Sequence, residues 1–265
     1  MLDLELGGRV ALVAGGSKGI GRSVAMALAR EGSDVAICSR EPQELAQTAQ
    51  EIQSLTGRRV LPVQADMTQL PDIQRFVDTA AMTFGRIDIL VYSANTPGGG
   101  TLAELTDEVL RNYFEVKLLG CVRCVRETIP HMQRSGWGRV IIIAGMSSRD
   151  FRAGSVSSGP ICSALANFGK QVANEAAPSG ILVNTIHPGA TYTARMKARI
   201  ARQASEQGVT TEEMLEQHRR RMPIGRLIQP EDIANLALFL CSPYAGAITG
   251  ESIAVNGGAA TAVSH

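Results

Sequence analysis

The sequence predicts an α/β protein with a doubly wound parallel sheet, on three observations. Short apolar runs alternate with helical stretches along most of the chain. Successive strands are therefore joined by crossovers and run parallel, with helices on both faces. A glycine-rich loop, Gly15-Gly16-Ser17-Lys18-Gly19-Ile20-Gly21, follows the first apolar run and opens into a helical stretch. The 265 residues are 45% hydrophobic, enough for one large core, so a single domain over 1–265 is expected.

Residues 10–13 form the first strand. In the loop that follows, Gly15 lets the turn tighten, Gly19 lets backbone come close to a phosphate, and Gly21 lets the helix pack on its strand. Free N–H groups and the helix dipole add partial positive charge, so the loop expects a pyrophosphate. Strands are then expected at 34–39, 59–64, 87–92, 139–143 and 181–186. Helices are expected at 42–55, 73–84, 107–134 and from about 159 to 177. A polar helical segment, 191–221, interrupts the alternation before a helix at 231–240 and a last strand at 252–255. It carries Arg195, Lys197, Arg199, Arg202 and Arg219-Arg220-Arg221, offset by Glu206, Glu212, Glu213 and Glu216. A solvated mixed-charge helix pair is the default reading. A substrate lid is the alternative, because ligands of such sheets sit beyond the carboxyl ends of the strands, where this segment emerges.

A formal charge of +1 gives no bulk attraction to nucleic acid or to an anionic membrane. The opening Met1-Leu2-Asp3-Leu4-Glu5-Leu6 is short and acidic, unlike a signal peptide, and no apolar run is long enough to span a bilayer. A cytoplasmic protein is expected. The five cysteines are an odd number, and all fall inside predicted elements. Cys121 and Cys124 have metal-ligand spacing, but no second pair or nearby histidine completes a site, so buried thiols and no metal are expected.

The Gly loop, Asp66 after the third strand, Ser93-Ala94-Asn95 after the fourth, Val183-Asn184, Pro188-Gly189, Thr249-Gly250 and Asn256-Gly257-Gly258 together resemble the short-chain dehydrogenase/reductase family. The likeness spans essentially the whole chain and implies a Rossmann fold. It also implies that Gly15, Ser17, Lys18, Gly19, Ile20 and Gly21 hold a dinucleotide, with Asp66 and Met67 at the adenine. Ala94 and Asn95 would run beside the ribose and nicotinamide, and Pro188, Gly189 and Thr191 would hold the carboxamide. Members commonly assemble as tetramers, so a homo-oligomer, tetramer or dimer, is expected. Arg123, Arg126, Ala164, Ala166 and Gly169 suit such contacts, although the same pattern suits a monomer's core.

Charge decides the expected cofactor. Where an NAD enzyme usually puts a carboxylate at the end of the second strand, this chain has Ser39, followed by Arg40, with Lys18 nearby. An uncharged residue beside two cations fits the extra phosphate of NADP(H).

The resemblance also implies a Tyr proton donor, a Lys one turn later, a Ser and an Asn. A gap-free alignment puts these on Ser158, Cys162, Gly145 and Lys117, and none matches. No Tyr occurs between Tyr113 and Tyr192, and no Lys between Lys117 and Lys170. Gly159-Pro160 places a proline where that helix should start, with Ser157 or Ser158 as its cap. A capping hydroxyl is the preferred reading of Ser158 over a catalytic one. Tyr113 and Lys117 repeat the Tyr-x-x-x-Lys spacing on another helix. An ordinary i, i+4 pair is preferred to a relocated acid. Cys162 beside Lys117 would be a reactive thiolate or, preferably, an inert buried thiol. His187 reads as a packed polar residue or a proton donor, and Tyr92 and Tyr192 border the same cleft.

Three functions remain open: an NADP-dependent oxidoreductase reducing a ketone or oxidising an alcohol with a non-standard proton donor; a non-redox lyase- or isomerase-like relative; or an inactive NADP-binding scaffold. The first is preferred, because hydride transfer belongs to the cofactor and acid catalysis adds only about 10²–10⁴-fold.

Overall fold

The computed structural model describes residues 3–96, 101–151 and 154–260. Seven strands form one sheet: β1 Val10–Ala14, β2 Asp34–Ser39, β3 Val60–Gln64, β4 Ile89–Tyr92, β5 Gly138–Ile143, β6 Ile181–Pro188 and β7 Ser252–Val255. Their order is β3-β2-β1-β4-β5-β6-β7, and every pair is parallel. The expected doubly wound sheet is the observed one.

The connecting helices are α1 Gly19–Arg30, α2 Pro42–Thr56, α3 Leu70–Phe84, α4 Asp107–Phe114, α5 Gly120–Ser135, α6 Ser158–Ala176, α7 Ala194–Gln207, α8 Thr211–Arg220 and α9 Pro230–Cys241. Alternate strand residues feed two cores. Ala11 and Val13 pack with α1, α2, α7, α8 and α9, whereas Val10, Leu12 and Ala14 pack with α3, α5 and α6. Both faces of the central strands are covered, which is why those strands read as continuous apolar runs.

Strand order reverses between β1 and β4, and there the loops leaving the two strands diverge to opposite faces and leave a crevice. They meet at its base. A Cβ on Gly15, which has φ +77°, would lie 2.8 Å from the Ala94 backbone.

The sequence places one regular helix at 107–134. Instead α4 and α5 are joined by a π-helical segment, Glu115–Leu119, that widens the turn around Lys117. Such insertions are frequent at functional sites. The buried Tyr92 hydroxyl donates to the Val116 carbonyl, taking up an acceptor of that segment.

The mixed-charge segment forms two helices, yet neither is a wholly solvated rod. Met196, Ile200, Ala204, Met214 and Leu215 are buried in the core, so each helix has one apolar face. Gly169, read as suited to contact between subunits, faces the sheet, because a Cβ there would stand 2.7 Å from Thr185 Oγ1. Arg123 is engaged within the chain, by Glu115 at 2.9 Å and the Thr68 carbonyl at 3.0 Å. All five cysteines are free and buried. No helix among the described residues is long and apolar enough to cross a membrane.

Candidate active site

A cleft of about 540 Å³ opens over the carboxyl ends of β1, β2 and β4. Of the residues expected to hold a dinucleotide, Gly15, Ser17, Lys18, Gly19, Ile20, Ser39, Arg40, Asp66, Met67, Ala94 and Asn95 line it. Gly21, Pro188, Gly189 and Thr191 do not. A Cβ on Gly21 would run into the Gly15 carbonyl, so Gly21 lets α1 pack on its own loop. Gly189 donates to Val255 at 2.9 Å, and Thr191 bridges to Ile228, so this stretch is tied down on the far side. The residues that reach the cleft from there are Thr193, Ala194 and Arg195.

The cradle fits a dinucleotide's phosphates on its own geometry. Lys18, the N-cap of α1, makes no side-chain cap, so the first-turn amides of the helix are left to an anion. Gly19 has φ +57° and brings the loop within 3.3 Å of Thr193 Cγ2, measured from a Cβ built on it. Asp66 is fixed by the Thr68 amide at 2.9 Å, and its own amide donates to Asp72 at 2.8 Å.

At the β2 end, Ser39 is uncharged, and the exposed Arg40 guanidinium has no partner among the described residues. Lys18 has one that the sequence reading missed, Glu44 at 2.9 Å. Both ends of this pair are well exposed, and such a pair contributes about 0–1 kcal/mol, so a phosphate dianion can displace Glu44. The signal for Glu44 was its place in the first turn of the helix after Ser39-Arg40.

Of the four positions that the family pattern gives to catalysis, Lys117, Gly145 and Cys162 converge, whereas the Ser158 hydroxyl turns to Ser155. Lys117 is buried, and Nζ donates to the Ala144 carbonyl at 2.8 Å. Next to Ala144, a Cβ on Gly145 would touch Cys162 Sγ at 3.4 Å. Burial pulls the Lys117 pKa below the ordinary lysine value; Cys162 works against that shift and Arg195 reinforces it. Tyr113 is buried, and its ring centroid lies 6.0 Å from Lys117 Nζ. Burial pushes the phenol up in pKa, the opposite of what a relocated acid requires. Tyr92 is occupied with Val116, and Tyr192 stacks under Lys197 at 4.9 Å.

Helix α6 starts at Ser158, one residue from expectation, and Pro160 falls in its first turn, where no intrahelical N–H is needed. The expected serine cap does not form. Ser157 occupies the cap position with helical angles, φ −76° and ψ −39°, rather than the extended backbone that aims a hydroxyl at the first amides. Its Oγ is buried without a partner among the described residues, and Ser158 Oγ donates to Ser155 O at 3.4 Å.

His187 is enclosed. Nδ1 lies 2.9 Å from Gly145 O and 3.0 Å from Ser148 Oγ, and Nε2 lies 3.3 Å from Ser252 Oγ. Burial lowers its pKa to about 4, so it is a neutral packed residue holding the β5 loop.

The model of the enoyl-(acyl carrier protein) reductase family matches residues 14–260. The chain is 30% identical over 257 residues to the 3-oxoacyl-[acyl-carrier-protein] reductase FabG of Aquifex aeolicus, covering 97% of this chain and 99% of that one. It is 31% identical over 249 residues to the short-chain reductase protein NovJ of Streptomyces niveus, covering 94% and 93%. Among solved structures, L-sorbose reductase from Gluconobacter frateurii, complexed with NADPH and L-sorbose, superposes with a TM-score of 0.95 at 29% identity, covering 99% of this chain and 100% of that one. With a family match spanning nearly the whole sequence, and with the crevice and glycine cradle in place, the chain belongs to the short-chain dehydrogenase/reductase family.

Proposed function

We propose that the protein is an NADP(H)-dependent oxidoreductase that reduces a small-molecule ketone or oxidises the corresponding alcohol, with Lys117 in place of the family's tyrosine as proton source. The observation that carries the cofactor reading is the cleft itself. Its phosphate end offers uncapped α1 amides, and its β2 end has Ser39 where a carboxylate would repel a phosphate, followed by Arg40, unpaired among the described residues, with Glu41 also on the lining. The L-sorbose reductase structure, which holds NADPH, supports the same choice.

A bound reduced nicotinamide supplies hydride to a carbonyl carbon. The chain must then deliver one proton to the oxygen. Lys117 Nζ holds three, is fixed by Ala144 O, and has a pKa drawn down by burial toward the range in which an ammonium can act as an acid. Solvent returns the proton afterwards. Helix α7, with α8 packed against it, serves as the substrate lid, and its start enters the cleft at Thr193, Ala194 and Arg195.

Calorimetry with NADPH and NADH, followed by single-turnover absorbance against a carbonyl panel, tests this reading. NADPH is expected to bind at least about tenfold more tightly than NADH. Lys117→Met should slow hydride transfer by about 10²–10⁴-fold while NADPH still binds. No association with either dinucleotide would end the redox reading. Tight NADPH binding with no oxidation by any carbonyl would favour the non-redox or inactive alternative.

A further inference from the structure

The reacting end of the cleft carries positive charge without a counter-charge. Arg195 lines the cleft together with Val116 and Asn95, and its exposed guanidinium has no hydrogen-bond or ion-pair partner among the described residues. Lys117, next to Val116 in sequence, lies behind the cleft lining rather than on it: it is 4% exposed, and its partners are a backbone carbonyl and the distant face of the Tyr113 ring. The two cations influence one another, and among the described residues no carboxylate is ion-paired with Lys117. The nearest acid in sequence, Glu115, is taken by Arg123 at 2.9 Å. The carboxylates that line the cleft are Glu41, Glu44 and Asp66, with Glu44 bound to Lys18 and Asp66 to the Thr68 amide. Buried charge is ordinarily paired, and Lys117 has only a backbone carbonyl; a ligand anion between it and the exposed Arg195 would supply a counter-charge to both.

We propose that the substrate is an oxo acid or hydroxy acid, whose carboxylate is held by Arg195 over the Lys117 ammonium. The inference rests on the proposed reductase reading and narrows its substrate class. Guanidinium and carboxylate pair through two parallel hydrogen bonds, which also fixes the orientation of the rest of the molecule. With its carboxylate anchored at Arg195, the substrate presents its carbonyl to the adjoining Lys117 side of the cleft. The diphosphate of the cofactor is the other oxyanion that could meet Arg195, and the experiment separates the two.

The NADPH-saturated protein is titrated with a panel of 2-oxo and 3-oxo acids and with their methyl esters, following thermal stability and, separately, NADPH absorbance. At least one acid is expected to stabilise the protein, with its ester about tenfold to a hundredfold weaker. Arg195→Met should erase the acid-over-ester preference and leave NADPH affinity within about twofold, and Arg195→Lys should restore part of the preference. Equal binding of acids and esters, or no shift with any acid, overturns the inference. So does an Arg195→Met variant that loses NADPH affinity while keeping the acid preference, which would give the guanidinium to the diphosphate. An acid that binds without oxidising NADPH would sink the reductase reading and leave the anion site standing.

Discussion

His187 sits where a proton donor would be useful, and its surroundings deny it that role. With its ring shut between Gly145 O, Ser148 Oγ and Ser252 Oγ, the imidazole stays neutral, its pKa lowered to about 4 from an ordinary 6.5. The unfolded chain therefore takes up a proton before the folded one does. The histidine's contribution is complete above about pH 6.5 and is lost as pH falls toward about 4, a difference on the order of 3 kcal/mol. Urea unfolding measured between pH 7 and pH 4 should show this loss, and His187→Gln should flatten much of the slope. An unchanged slope in that variant would assign the acid sensitivity elsewhere. Lys117 is the contrasting case. It too is buried with a lowered pKa, but it stands beside cleft-lining Val116, and Nζ spends one donor on a fixed carbonyl.

The π-helical segment between α4 and α5 is the element that places Lys117, and it is held from below by the sheet. Tyr92 reaches up from the end of β4 to the Val116 carbonyl, and Gly120 begins α5 directly above that hydroxyl. A Cβ on Gly120 would overlap the Tyr92 hydroxyl and lie 2.6 Å from the Met67 carbonyl. In a solvent-exposed helix, glycine to alanine stabilises by about 1 kcal/mol. Here overpacking reverses the sign, and Gly120→Ala should destabilise by about 1–3 kcal/mol in chemical denaturation. A more stable variant would show that the helix and strand are not in close contact. Periodicity alone could not reveal this segment, because one inserted residue in a long amphipathic stretch leaves the apolar pattern nearly intact.

At the scale of the whole molecule, the crevice at the strand-order reversal links folding to ligand. NADPH at a hundredfold its Kd should stabilise the protein by about 2.7 kcal/mol and raise the thermal midpoint. Gly15→Ala should lose that rise, because its Cβ would meet the Ala94 backbone at 2.8 Å and close the base of the cleft. A rise that survived the substitution would place the dinucleotide elsewhere. The sequence by itself determined the sheet, its parallel sense and the glycine cradle, since alternation of period and the loop at the first strand's end are local signals. It also showed that no tyrosine lies between Tyr113 and Tyr192, which is a matter of composition. Only the tertiary structure decided that Glu44 engages Lys18, that Gly169 faces Thr185, that Arg195 rather than Thr191 reaches the cleft, and that Lys117 lies beside Ala144 and Cys162. Each is a meeting of groups far apart in sequence. Such meetings depend on how helices seat on the sheet, to within a few ångströms, and residue spacing along the chain carries no record of that distance.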